Sequence, residues 1–81
     1  MDRAIAEIDL HGKSQRKAER IIDDALRLSG AGTYQIRLIH GFHGGTALRD
    51  MIRARYQAHE KVKRIITQDF GVTILVLKEL Y

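Results

Sequence analysis

The sequence predicts a small α/β domain laid out in the order β-α-β-α-β-β. Three observations carry this expectation. Ile8-Asp9-Leu10-His11-Gly12 and Leu38-Ile39-His40-Gly41 are apolar runs that each end in His-Gly and each precede a helical pattern. Val72-Thr73-Ile74-Leu75-Val76-Leu77 is apolar on both faces, the mark of a strand inside a sheet rather than at its edge. The 81 residues contain no proline and no cysteine, so one uninterrupted domain over 1–81 is expected, without disulfides or thiolate metal ligands.

Each element has its own justification. Residues 5–10 alternate, with Ile8 and Leu10 on one face and Glu7, Asp9 and His11 on the other. Gly12-Lys13 turns the chain, and Ser14 serves as N-cap of the first helix. Ala18, Ile21, Ile22, Ala25 and Leu26 give that helix one buried stripe. Arg20 with Asp24, and Asp23 with Arg27, are spaced for i,i+4 pairs on its outer face. Ser29-Gly30-Ala31-Gly32 ends it with a glycine C-cap and a turn. Residues 34–40 form the second strand, where Ile36, Leu38 and His40 share a face.

The glycine-rich turn Gly41-Phe42-His43-Gly44-Gly45 comes next. Thr46 then caps a second helix with the inner stripe Leu48, Met51, Ile52 and Tyr56, running to about Ala58. The remainder reads as a hairpin. Its first strand, residues 62–67, carries Lys63 and Arg64 as a protected edge does. Asp69-Phe70-Gly71 turns the chain into residues 72–77.

A strand that ends in histidine and turns at glycine puts an imidazole at the carboxyl end of the sheet, where open α/β sheets place their ligands. Asp9 and His11, two apart on a strand, leave the same face. A carboxylate beside an imidazole orients the ring and holds it protonated, or the pair shares a divalent metal. Phosphodiester cleavage needs a base, an acid and positive charge near the phosphate. His11 and His40 are the candidate acid and base, with His43 a third histidine nearby. Lys13, Arg16, Lys17, Arg49 and the backbone N–H groups of Gly44, Gly45 and Thr46 are candidate phosphate clamps.

Charge placement points the same way. Lys13, Arg16, Lys17 and Arg20 crowd the positive end of the first helix dipole, where each costs on the order of 0.3–1 kcal/mol. An anionic ligand reverses that penalty, and the net charge of +4 suits a polyanion. The plainer alternatives are that Asp9 and His11 only fix the first turn by hydrogen bonds and that the cations only keep the face solvated. Phe42, at the glycine-rich tip, reads as an anchor tucked onto the sheet, with base stacking as the alternative. His59 reads as a solvated linker residue. Gly44-Gly45 lacks the length and the lysine of a P-loop, which argues against nucleotide hydrolysis.

Three separated segments together resemble the small MutS-related (Smr) domain. They are Asp9-Leu10-His11-Gly12, then His40-Gly41 with its glycine-rich turn and Leu48-Arg49, then Gly71-Val72-Thr73-Ile74 before Leu77-Lys78. The resemblance implies a two-layer sandwich similar to the C-terminal domain of translation initiation factor three. Both helices would cover one face of a four-stranded mixed sheet, with the last strand internal. It also implies nucleic-acid binding and endonuclease cleavage or nicking. Two departures stand out: Phe42-His43 puts Gly44-Gly45 one position late, and the glycine-rich segment before the last strand is reduced to Gly71.

The expectation is therefore a nucleic-acid-binding domain with endonuclease activity on DNA or RNA. Asp9, His11 and His40 are its expected catalytic residues. Lys13, Arg16, Lys17, Gly41, His43, Gly44, Gly45, Thr46 and Arg49 are expected to contact the nucleic acid. A divalent metal, magnesium or manganese, is a candidate cofactor with Asp9 and His11 as its ligands. A non-catalytic module of the same fold and a protein-interaction or small phosphate-ligand module are the alternatives. No apolar run approaches the ~18 residues of a membrane span and no signal-peptide layout is visible, so a cytoplasmic monomer without a membrane partner is expected.

Overall fold

The computed structural model describes residues 4–42 and 45–79 and follows the expected order of elements. These are β1 (Ile5–Asp9), α1 (Gln15–Leu28), β2 (Gln35–Ile39), α2 (Ala47–Tyr56), β3 (Arg64–Asp69) and β4 (Val72–Val76). The sheet order is β1-β2-β4-β3, with β1 and β2 parallel and the other pairs antiparallel. The strand that is apolar on both faces is internal, and the cation-bearing strand is an edge, as the patterning predicts.

Period-two alternation sorts the sheet into a covered and an uncovered face. Ala6 and Leu10, Ile36 and Leu38, and Leu75 and Leu77 join one core with α1 and α2. Ala18, Ile22 and Leu26 of α1 and Met51, Ile52 and Tyr56 of α2 supply the helical side. Both helices thus lie on one face. Each fully buried Leu or Ile there is worth about 1.5–3 kcal/mol. On the other face, register aligns Glu7, Arg37, Ile74 and Ile66. Arg37 bonds both Glu7 and Gln68, laying a polar strap across that surface.

Several local expectations are corrected. β3 begins two residues late because the Val62 N–H closes a turn on the His59 carbonyl at 3.0 Å while its side chain enters the core. α1 ends on Ser29, whose N–H and hydroxyl both donate to the Leu26 carbonyl. Gly30 and Gly32 do not adopt the left-handed conformation of a glycine cap. The expected i,i+4 pairs on α1 are absent. Arg27 instead pairs with Asp24 at 3.2 Å, and Asp23 turns toward α2. There it accepts from Arg55 at 2.9 Å and from the Tyr56 hydroxyl at 2.7 Å. Burial raises the Asp23 carboxyl, but these two donors outweigh it and hold the group below its ordinary value. Among the described residues, no helix is long and apolar enough to cross a membrane.

Candidate functional site

At the carboxyl end of β1 the chain splits two neighbours between core and solvent. Leu10 turns inward and its N–H donates to the Ile39 carbonyl at 2.7 Å, tying the ends of β1 and β2. Asp9 and His11 face outward, with side chains 56% and 72% exposed. Asp9 Oδ1 lies 2.6 Å from His11 Nδ1 and also accepts the His11 backbone N–H at 3.1 Å. An ionised carboxylate only accepts, so Nδ1 carries the proton and Nε2 is left on the far side of the ring. The same two donors, side chain first, hold the Asp9 carboxyl below its ordinary value. Gly12, at φ 75°, then turns the chain toward α1, and Ser14 caps the helix by accepting from Lys17 N–H.

The second His-Gly turn is built the other way. His40 is only 5% exposed and both ring nitrogens are engaged. Nδ1 donates to the Gly41 carbonyl at 2.9 Å, so Nε2 accepts from the Thr73 hydroxyl at 2.9 Å. The ring is a strut that holds Gly41 at φ 73°. A Cβ at Gly41 would meet His11 Cβ at 3.5 Å, so the two turns are in contact. The Gly71 carbonyl accepts from the N–H groups of both His40 and Gly41, which locks the β3–β4 turn to the same edge.

A cleft of about 530 Å³ opens here, lined by His11, Lys13, His40, Gly41, Phe42 and Leu48 among others. A larger one, about 880 Å³, lies at the opposite end of the sheet around Gly30, Ala31 and Lys78, and contains no histidine. Cations away from the smaller cleft are mixed: among the described residues, Arg53, Lys61, Lys63 and Lys78 form no ion pair, and Arg53 bonds Thr67 instead. Arg27, Arg37, Arg55 and Arg64 each pair with an acid. Among the described residues, Lys13, Arg16, Lys17 and Arg20 form no ion pair. Arg49 is held at 3.4 Å by Asp50.

The Smr domain family model matches residues 8–78 of this chain. The chain belongs to the Smr domain family. This Smr domain is also similar to a solved relative, the crystal structure of the Smr domain of Thermus thermophilus MutS2. The two are 31% identical with a TM-score of 0.81, and the match covers 91% of this chain and 99% of that one. No curated protein matches the chain.

Within the Smr domain, the residues singled out from sequence separate into groups. His11 and Lys13 line the cleft, Asp9 bonds His11, and Arg16 and Lys17 lie in the first turn of α1 that follows. His40 and Gly41 form the wall of the cleft, and His43 and Gly44 lie outside the described residues. The Gly45 N–H donates to the Phe42 carbonyl at 3.1 Å, so it is not an open phosphate clamp. Thr46 sits at the N-cap of α2, but its hydroxyl donates to Asp50 instead of receiving a backbone N–H. Among the described residues, no group of three or more histidine or acidic side chains could hold a metal ion. Asp9 and His11 supply two donor side chains, with Asp9 Oδ1 already engaged, which falls short of a protein-held magnesium or manganese site.

Thr73 and Phe70 escaped the sequence reading. Thr73 faces His40 because β4 runs antiparallel to β2 and pairs Leu38 with Thr73. The same pairing delivers Phe70 to the edge, 77% exposed, with its ring centroid 6.3 Å from that of Phe42. Phe42 touches the sheet at Gly71, as an anchor would, yet remains 55% exposed.

Proposed function

We propose that this Smr domain binds nucleic acid across its carboxyl edge and cleaves phosphodiester bonds there, with His11 transferring the proton. The observation that supports this most is the Asp9–His11 pair at 2.6 Å, an exposed and oriented imidazole followed in the chain by Lys13, Arg16 and Lys17, which form no ion pair among the described residues. Asp9 keeps the proton on Nδ1, so Nε2 meets the substrate. It takes the proton of the attacking hydroxyl as the new P–O bond forms and the bond to the leaving oxygen breaks, and solvent protonates the leaving oxygen. The Asp9 carboxylate stabilises the imidazolium that results. Lys13, Arg16 and Lys17 offset the charge that grows on the phosphate. His40 acts as a positioning residue through Gly41.

The non-catalytic binding module stands as the second reading because His11 is the one open imidazole of the cleft among the described residues, with no second side-chain acid beside it. Labelled DNA and RNA incubated with magnesium, manganese or chelator separate the two. The proposal expects cleavage that is lost in His11→Ala and Asp9→Asn. Binding without cleavage under every condition supports the module. Binding of long nucleic acids no better than of free phosphate compounds overturns both.

A further inference from the structure

A second polar groove, about 650 Å³, lies between the end of α2 and strand β3. Period-two alternation puts Lys63, Ile65 and Thr67 on the side of α2, where Arg53 and Gln57 stand one turn apart. Ile65 packs against the core, while Arg53, Gln57, Lys63 and Thr67 are exposed around it. Among the described residues, Arg53, Lys63 and Arg64 line this groove and no acid does. The three cations are not equivalent. Arg64 is turned to Glu79, which accepts from its Nε at 2.8 Å. Arg53 donates one N–H to the Thr67 hydroxyl, bridging α2 to β3, and retains its other donors. Lys61 and Lys78 direct their ammonium groups to the Leu26 and Ala31 carbonyls, but Lys63 Nζ bonds nothing among the described residues. Edge protection accounts for a cation on β3. It does not account for that cation meeting an arginine, an amide and a hydroxyl in one groove.

We infer that this groove is a second phosphate-binding site, and that one nucleic-acid strand reaches from the His11 cleft along α2 into it. This rests on the nucleic-acid reading of the carboxyl edge and extends its footprint. The helix links the two places: Ala47 and Leu48 line the His11 cleft, and Arg53 and Gln57 line the groove. Arg49, Arg53 and Gln57 are spaced i, i+4, i+8, so they form one polar stripe along α2 and its C-cap. At 1.5 Å per residue, Leu48 to Gln57 spans about 14 Å of helix axis. A strand carries a phosphate about every 3.4 Å of duplex axis, so about four phosphates cover that length. The lining suits a phosphodiester. Lys63 supplies a point charge on a flexible stem, and Arg53 supplies the guanidinium N–H groups that Thr67 leaves open. Gln57 and Thr67 add neutral hydrogen-bonding groups. An acidic peptide matches the charge alone, whereas the stripe joining groove to cleft favours a continuous polyanion.

Lys63 is exposed and its ammonium holds no other element, so Lys63→Ala and Lys63→Glu leave the fold intact. Anisotropy titrations of labelled DNA and RNA oligomers over a range of salt compare both variants with the unmodified domain. Lys63→Ala should lower the slope of log affinity against log salt by about 0.7–0.9, and Lys63→Glu should lower it further. Arg64→Ala, which removes a guanidinium already held by Glu79, should leave the slope unchanged. In a nitrogen-labelled domain, the oligomer should shift the Gln57 side-chain amide and the Thr67 N–H together with the His11 and Lys13 N–H groups. Unchanged slopes in both Lys63 variants, or shifts confined to the cleft, overturn the second site and leave the reading of the carboxyl edge in place. Polyglutamate of equal charge that shifts the Gln57 amide as strongly as the oligomer assigns the groove to acidic peptides and overturns it as well. An unmodified domain that binds none of the oligomers overturns both.

Discussion

A histidine that closes a strand can lie outward, as His11 does against Asp9, or inward, as His40 does between Gly41 and Thr73. The difference should appear in stability. His40→Ala removes two buried hydrogen bonds and opens a cavity, so it is expected to cost about 2–4 kcal/mol in denaturant unfolding. His11→Ala, on an exposed ring, should stay within about 0.5 kcal/mol. Equal costs would contradict the assignment of one ring as strut and the other as reactive group. The Asp9 carboxyl sits below its ordinary value of 3.8, so the ionised contact with His11 is fully present above that value. It is lost only as pH falls through the lower folded value. A pH titration followed by the Asp9 carboxyl carbon shift should therefore place its midpoint below 3.8; a midpoint at or above that value would contradict the geometry. Spacing alone placed Asp9 and His11 on one face and His40 with Ile36 and Leu38. It could not show that Thr73 takes the second nitrogen of His40, because that depends on the register between strands far apart in sequence.

Elements meet through residues whose partners change once helices pack. α1 alone suggests that Asp23 pairs with Arg27 one turn on, but α2 brings Arg55 and the buried Tyr56 to it. The Tyr56 hydroxyl is pushed above its ordinary value, first by burial and then by Asp23, and serves as a donor throughout the working range. Tyr56→Phe removes that donor without opening a cavity. It is expected to cost about 1 kcal/mol, a Tm drop of about 4–8 °C for a domain of this size. An unchanged Tm would show that the helix–helix bond contributes nothing. The internal place of β4 was legible from its two-sided apolarity, and the edge place of β3 from its cations. The start of β3 was not, because Val62 reads equally well as a strand residue or as a core residue that closes a turn. The glycines after α1 misled for a related reason: Ser29 supplies both the N–H and the hydroxyl that the helix end needs.

At the scale of the molecule, among the described residues, Arg27, Arg37, Arg49, Arg55 and Arg64 pair with acids while Lys13, Arg16, Lys17 and Arg20 around the start of α1 form no ion pair. If a phosphate backbone lies there, Arg16→Ala and Lys17→Ala should each lower the slope of log affinity against log salt by about 0.7–0.9. Arg27→Ala and Arg64→Ala, whose side chains already hold Asp24 and Glu79, should leave it unchanged. Anisotropy titrations over a range of salt check this, and four equal slopes would reduce the patch to a solvated face. The most direct test of the central claim is single-turnover cleavage of a labelled strand by the unmodified domain and by His11→Ala, with affinity measured on the same samples. The structure leads us to expect a loss of about 10²–10⁴-fold in cleavage rate with affinity nearly unchanged. Cleavage by His11→Ala at the unmodified rate, or an unmodified domain that binds and never cuts, would contradict it.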